Sequence, residues 1–102
     1  MRFSKEYKKL SWPIFTTIRK NKGYYRRENV FQVRTPKRKF PVRVLARIKI
    51  RKDDIDEHLA RIDADCSREE LLEMLERWYG PDFDNYLLLI LVKIGPERKI
   101  RS

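Results

Sequence analysis

The sequence predicts an α+β fold in one domain over residues 1–102: a small, strongly curved mixed sheet or barrel of four or five strands carrying three helices. Three stretches predict it. From Lys39 to Lys52, apolar Phe40, Val42, Val44, Ala46, Ile48 and Ile50 fill the even positions, with Lys39, Arg43, Arg47, Lys49 and Arg51 among the odd ones. Period-two alternation belongs to a strand with one face on a core. Ser67-Arg68-Glu69-Glu70 has the spacing of a reciprocal helix cap, in which Ser and Glu each satisfy the other's free backbone N–H. Tyr86 to Ile94 is almost wholly apolar, as expected of a strand covered on both faces.

The remaining elements follow in order. Phe3, Tyr7 and Leu10 recur near a helical repeat, which predicts a short helix over Met1–Leu10 laid on the core. Ser11-Trp12-Pro13 ends it, because a proline disfavours helical geometry in the residue before it. Phe15-Thr16-Thr17-Ile18-Arg19 reads as a strand rich in residues stiff at Cβ, and Asn21-Lys22-Gly23 as a turn. A second strand is expected from Asn29 to Arg34 with Phe31 and Val33 on one face, then a hairpin at Thr35-Pro36-Lys37-Arg38. Asp53 or Asp54 is expected to cap a helix with Asp56 and Glu57 in its first turn, where the helix dipole favours carboxylates. Ile55, Leu59 and Ile62 are its expected apolar face. In the helix opened by Ser67, the expected buried stripe is Leu71, Met74 or Leu75, and Trp78, with Gly80-Pro81 as the stop.

Composition narrows the function. Residues 1–52 hold 18 Lys and Arg against two acids, Glu6 and Glu28, a surplus of +16, while residues 53–102 hold seven against thirteen, a deficit of −6. Such a separation steers polyanions to one surface. Nucleic acid is the first partner class it implies, with an acidic protein or an anionic membrane surface behind it. The lone Cys66 cannot form an internal disulfide, which fits a reducing, cytoplasmic setting. The longest apolar run, Tyr86 to Val92, is too short to span a bilayer, so no membrane role is expected. Abundant Lys, Arg and Glu with a single Gln32 is a balance favoured in heat-adapted proteins.

The stretch around Thr17 carries the clearest candidate chemistry. Alternation points Thr17 and Arg19 one way and Thr16 and Ile18 the other. A guanidinium beside a hydroxyl suits a phosphate or carboxylate, because Arg presents a planar fork of donors. The odd-numbered cations of Lys39–Lys52 add a second anion-binding face, with no acid between Glu28 and Asp53. A solvated face would ordinarily mix signs. His58 is the sole histidine, and Asp63, Asp65 and Cys66 are too few ligands for a zinc site. Only Gly23, Gly80 and Gly95 exist, so no phosphate-cradling glycine loop is present. No metal or cofactor is expected.

Thr17-Ile18-Arg19, the basic strand running into Asp54-Ile55, the helix around His58-Leu59-Ala60, and the Ser67 helix ending in Tyr79-Gly80 together resemble the ASCH domains. These are a branch of the PUA-like β-barrels, and the resemblance spans essentially the full length, as of a small stand-alone member of archaeal, heat-adapted type. It implies a PUA-like mixed β pseudo-barrel of four to six strands with about three short helices, and a cleft for RNA or a modified nucleoside. The family hallmark is Gly-x-Lys-x-x-Thr-x-Arg, and Thr17-Ile18-Arg19 matches its second half. Where the family has Gly and Lys, this chain has Trp12 and Ile14. In members that hydrolyse acetylcytidine, that Lys, the Thr and an acid carry the reaction. By position Thr17 stands for the Thr and Asp63 for the acid, while Ile14 can supply neither a base nor an activator; Lys20 or Lys22 would have to reach in.

The expectation is therefore an RNA-binding domain, monomeric, with Arg19, Lys20, Lys22, Arg43, Arg47 and Lys49 on phosphates. Thr17 and Asp63 would line the cleft, with Tyr24 or Trp12 stacking on bases. The alternatives are an enzyme in the same cleft, a ribonuclease or acetylcytidine-type amidohydrolase with Thr17, Asp63 and Lys20 as candidate catalytic residues, a DNA-binding protein, and a basic adaptor for an acidic protein.

Overall fold

The computed structural model describes residues 1–100. Five strands and two α-helices run in the order β1 (Ile14–Lys20), β2 (Val30–Arg34), β3 (Arg38–Ile50), α1 (Glu57–Ala64), α2 (Arg68–Tyr79), β4 (Tyr86–Lys93) and β5 (Arg98–Lys99). The strands form one sheet in the order β1-β4-β3-β2, with β5 added at the start of β3, and all the strand pairs are antiparallel. The fold is α+β with a strand number inside the expected range. The sheet is open, since β1 and β2 are its two edges and do not pair with each other.

β4 lies at the centre because its run of Leu and Ile can be covered on both sides. Leu87, Leu89 and Leu91 are fully buried, as is Tyr86 on the opposite face. The Ser67 cap forms as the spacing implies: Ser67 Oγ accepts from Glu70 N–H at 3.1 Å, and Glu70 accepts from Ser67 N–H at 3.3 Å. Leu71 and Leu75 are buried, but Trp78, expected on the same stripe, is 50% exposed, and Gly80 ends α2 at φ 95°, a backbone angle that costs glycine little. No helix among the described residues is long and apolar enough to cross a membrane.

Four further expectations need correction. The Met1–Leu10 segment is extended, with only a 3₁₀ turn at Lys8–Ser11. Phe3 N–H donates to Arg34 O at 2.8 Å and Arg2 bridges Arg34 in parallel, so the edge of β2 offers this segment the backbone partners a lone helical turn would lack. Phe3, Tyr7 and Leu10 are nevertheless buried. Secondly, Asp53 and Asp54 lie in a separate 3₁₀ turn, Lys52–Asp54, and α1 is capped by Asp56, which accepts from Leu59 N–H at 2.7 Å. Thirdly, the buried stripe of α1 is Ala60, Asp63 and Ala64, whereas Ile62 is exposed and Leu59 half-buried.

The fourth correction bears on function. β3 has a bulge between Val44 and Ala46: Val44 faces Leu91 and Ala46 faces Ile90, leaving Leu45 unpaired. An extra residue reverses which side each later position faces. Arg47 and Lys49, opposite Leu89 and Leu87, therefore share a sheet face with Val42 and Val44, while Arg43, opposite Val92, lies on the other face. The expected single cationic face of Arg43, Arg47 and Lys49 does not exist.

Candidate functional site

β1 is an edge strand, so its outer side is free to line a cavity. The segment Arg2–Lys9 stands on one side of it and α2 on the other, leaving a cleft of about 270 Å³. Phe3, Tyr7, Leu75, Trp78 and Tyr79 give it apolar and aromatic walls, and Lys9, Thr17, Arg19 and Asp63 its polar groups. Thr17 and Asp63 thus line one cleft.

Its polar groups are held by a buried network. Lys9 Nζ donates to Asp63 Oδ1 at 3.0 Å, and Thr16 Oγ1 donates to the same oxygen at 2.8 Å. Lys9 is only 4% exposed and Asp63 5%. Burial lowers the Lys9 pKa below the usual lysine range, with the Asp63 carboxylate opposing that shift and Arg19 adding to it. The ammonium also lies 5.3 Å from the Phe3 ring centroid and 5.4 Å from that of Tyr7, within cation–π range. Lys9 and Asp63 also face a second, smaller hollow bounded by Trp12, Arg61 and Ile62, so the ion pair forms part of the partition between the two.

Arg19 is committed mostly to the protein. Its Nε donates to Thr17 Oγ1 at 3.1 Å, its Nη2 donates to Arg2 O at 3.0 Å, and its guanidinium carbon sits 4.7 Å from the Phe3 ring centroid. It braces the Arg2–Lys9 wall while lining the cleft.

The other expected residues fall elsewhere. Ile14 is 51% exposed at the start of β1, opposite Val92 and outside the cleft lining. Lys20 lies across from Tyr86, its Nζ 5.0 Å from the Phe83 ring centroid, and does not line the cleft. Trp12 flanks the smaller hollow, and His58 is exposed on α1. Lys22 and Tyr24 belong to loop 21–29, where Lys22 lies 5.6 Å from the ring centroid of Tyr24. Tyr24 packs edge-on against Tyr25, centroids 4.6 Å apart, yet remains 51% exposed. Arg47 donates to Asn21 Oδ1 at 3.2 Å, placing the Arg47 side of β3 against this loop.

Exposed Lys22, Arg26, Arg27, Arg47 and Lys49 thus belong to loop 21–29 and the strand it adjoins, with Tyr24 among them. The loop's one acid, Glu28, is 3.8 Å from both Arg27 and Arg43. Arg43 is therefore paired as well as set on the opposite sheet face.

Lys9 is the residue that sequence reasoning missed. A lysine within a basic decapeptide reads as solvated. The available signal was Asp63, which lies three residues after Ala60 and one before Ala64 on the narrow small-residue side of α1. An acid on a buried stripe requires a partner, because an unpaired buried charge is strongly disfavoured. No family model, no curated protein and no solved structure matches the chain.

Proposed function

We propose that this protein binds RNA, with phosphates held along loop 21–29 and the outer half of β3, and one unstacked base admitted to the cleft beside β1. The observation that carries this reading is the placement of Arg47 and Lys49 on one sheet face beside a loop bearing Lys22, Arg26, Arg27 and a half-exposed Tyr24. Cations that track a backbone and an aromatic face on which a base stacks are the two elements of single-strand recognition. The aromatic walls and small volume of the cleft suit one planar ring. The resemblance to ASCH domains supports the same reading. The test is titration with a single-stranded RNA and the DNA of the same sequence at several salt concentrations. Stronger, salt-dependent RNA binding supports it; equal affinity moves the assignment to nucleic acid in general, and salt-independent or absent binding removes it.

A second reading, hydrolysis of an acetylated nucleoside in this cleft, is favoured by Lys9. The lysine that Ile14 cannot supply is provided from the Arg2–Lys9 wall, next to the acid Asp63 and a threonine hydroxyl, that of Thr16 and not Thr17. Burial shifts Lys9 toward the neutral amine, the form that accepts a proton. Acetate release from N4-acetylcytidine that disappears in Lys9→Met and Asp63→Asn is the outcome this reading requires. Absence of release in the unaltered protein leaves the cleft to binding alone.

A further inference from the structure

We propose that Lys9 is a carbonyl-capturing amine, whose Nζ adds to a small aromatic aldehyde admitted to the cleft and holds it as an imine. The proposal rests on the cleft itself and not on the RNA reading. Of the eleven lysines, Lys9 is the one buried residue, while Lys52 and Lys93 are half-buried and each bonded to a carboxylate and a backbone carbonyl. Among the described residues Lys9 Nζ has one hydrogen-bond acceptor, Asp63 Oδ1. On its cleft side lie the rings of Phe3 and Tyr7, and the cleft it lines is closed further by Leu75, Trp78 and Tyr79. An amine reacts only as its neutral form, and an apolar site is what favours that form.

The steps balance without a further reagent. Asp63 takes a proton from the ammonium, freeing the nitrogen lone pair. That pair forms the C–N bond to the carbonyl carbon, and the π pair of the C=O moves to oxygen. The oxygen is protonated by the Asp63 carboxyl, and one of the two protons then on nitrogen passes to the Asp63 carboxylate, giving a neutral carbinolamine. The nitrogen pair then forms the C=N bond as the hydroxyl departs, taking the proton from Asp63 and leaving as water. The immediate product is a protonated imine beside the restored carboxylate. One ammonium and one aldehyde become one iminium and one water, with no change of oxidation state. Thr16 Oγ1, donating to the same Oδ1, keeps that carboxylate oriented throughout. The aromatic walls hold the ring of the aldehyde and shield the C=N bond from hydrolysis.

The probe is benzaldehyde with sodium cyanoborohydride, which reduces an imine to a stable benzylamine, applied to the full chain near neutral pH and mapped by peptide mass spectrometry. Lys9 is expected to be labelled faster than Lys8, its exposed neighbour. Asp63→Asn should slow the labelling of Lys9, and Met74→Phe, which narrows the cleft from α2 without touching Lys9, should suppress it while leaving Lys8 unchanged. Labelling of Lys9 no faster than Lys8, or unaffected by Met74→Phe in a protein that melts as the parent does, overturns the proposal. RNA affinity is measured without aldehyde and labelling without RNA, so either idea can fail alone.

Discussion

Lys9 and Asp63 form a buried ion pair across 54 residues of sequence, Nζ to Oδ1 at 3.0 Å. Removing one member of such a pair strands the other in a low-dielectric site. Lys9→Met is therefore expected to cost about 3–5 kcal/mol in urea unfolding. Thr16→Ala removes a neutral donor to the same carboxylate and should cost roughly 1–2 kcal/mol. The double change Lys9→Met with Asp63→Leu should recover most of the first loss. A Lys9→Met protein as stable as Thr16→Ala would mean that water reaches Asp63 freely.

The same pair sets an alkaline signature. Burial holds Lys9 below 10.5, the value its unfolded form titrates at. Between the folded pKa and 10.5 the unfolded chain binds a proton that the folded chain has released, so raising pH through that window favours folding. Below the window the charged amine stays buried and its contribution is constant at its least favourable. Tyr25 acts oppositely: its phenol is pushed up to about 12 by burial and by hydrogen bonding with Tyr24, so stability is lost as pH climbs from 10 towards 12. Tyr25 cancels when the parent is compared with Lys9→Met. The difference in unfolding free energy between them should rise with pH up to about 10.5; a flat difference would show that Lys9 titrates alike in both states.

The bulge at Leu45 makes a prediction for RNA affinity. Arg47→Ala and Lys49→Ala should each flatten the log–log salt dependence by about one unit, as expected for one lost phosphate contact. Arg43→Ala, on the opposite face and near Glu28, should change it less. Equal slopes for all three would place the contact surface elsewhere.

Arg19→Lys keeps the charge but cannot donate simultaneously to Thr17 Oγ1 and Arg2 O in the same geometry. The Arg2–Lys9 wall should loosen, lowering the melting temperature, and RNA affinity should weaken by roughly 1–3 kcal/mol at fixed salt. Lys37→Ala, exposed in the hairpin turn, should cost less. Unchanged affinity with a lowered melting temperature would make Arg19 a brace only.

What could be read from the sequence follows the range of the interactions. The Ser67–Glu70 cap was legible because both partners lie within one helical turn. The central position of β4 was legible because its apolar content allows little else. The bulge at Leu45 was not, because it depends on which residues of β4 sit across from β3, and an apolar Leu45 at an odd position does not by itself say that the strand changes face there. The role of Thr17 and Asp63 as cleft neighbours was visible only through resemblance. Lys9 was invisible because its partner lies on α1, far along the chain, and Arg2, Lys5 and Lys8 around it read as one solvated basic stretch.

The segment Arg2–Lys9 is attached at points far along the chain: Arg34 holds Phe3, and Asp63 holds Lys9. With that segment detached, β1 would present its free edge and Lys9 a hydrated ammonium. A fluctuation that lifts this one segment would abolish the cleft while leaving every strand pairing of the sheet in place.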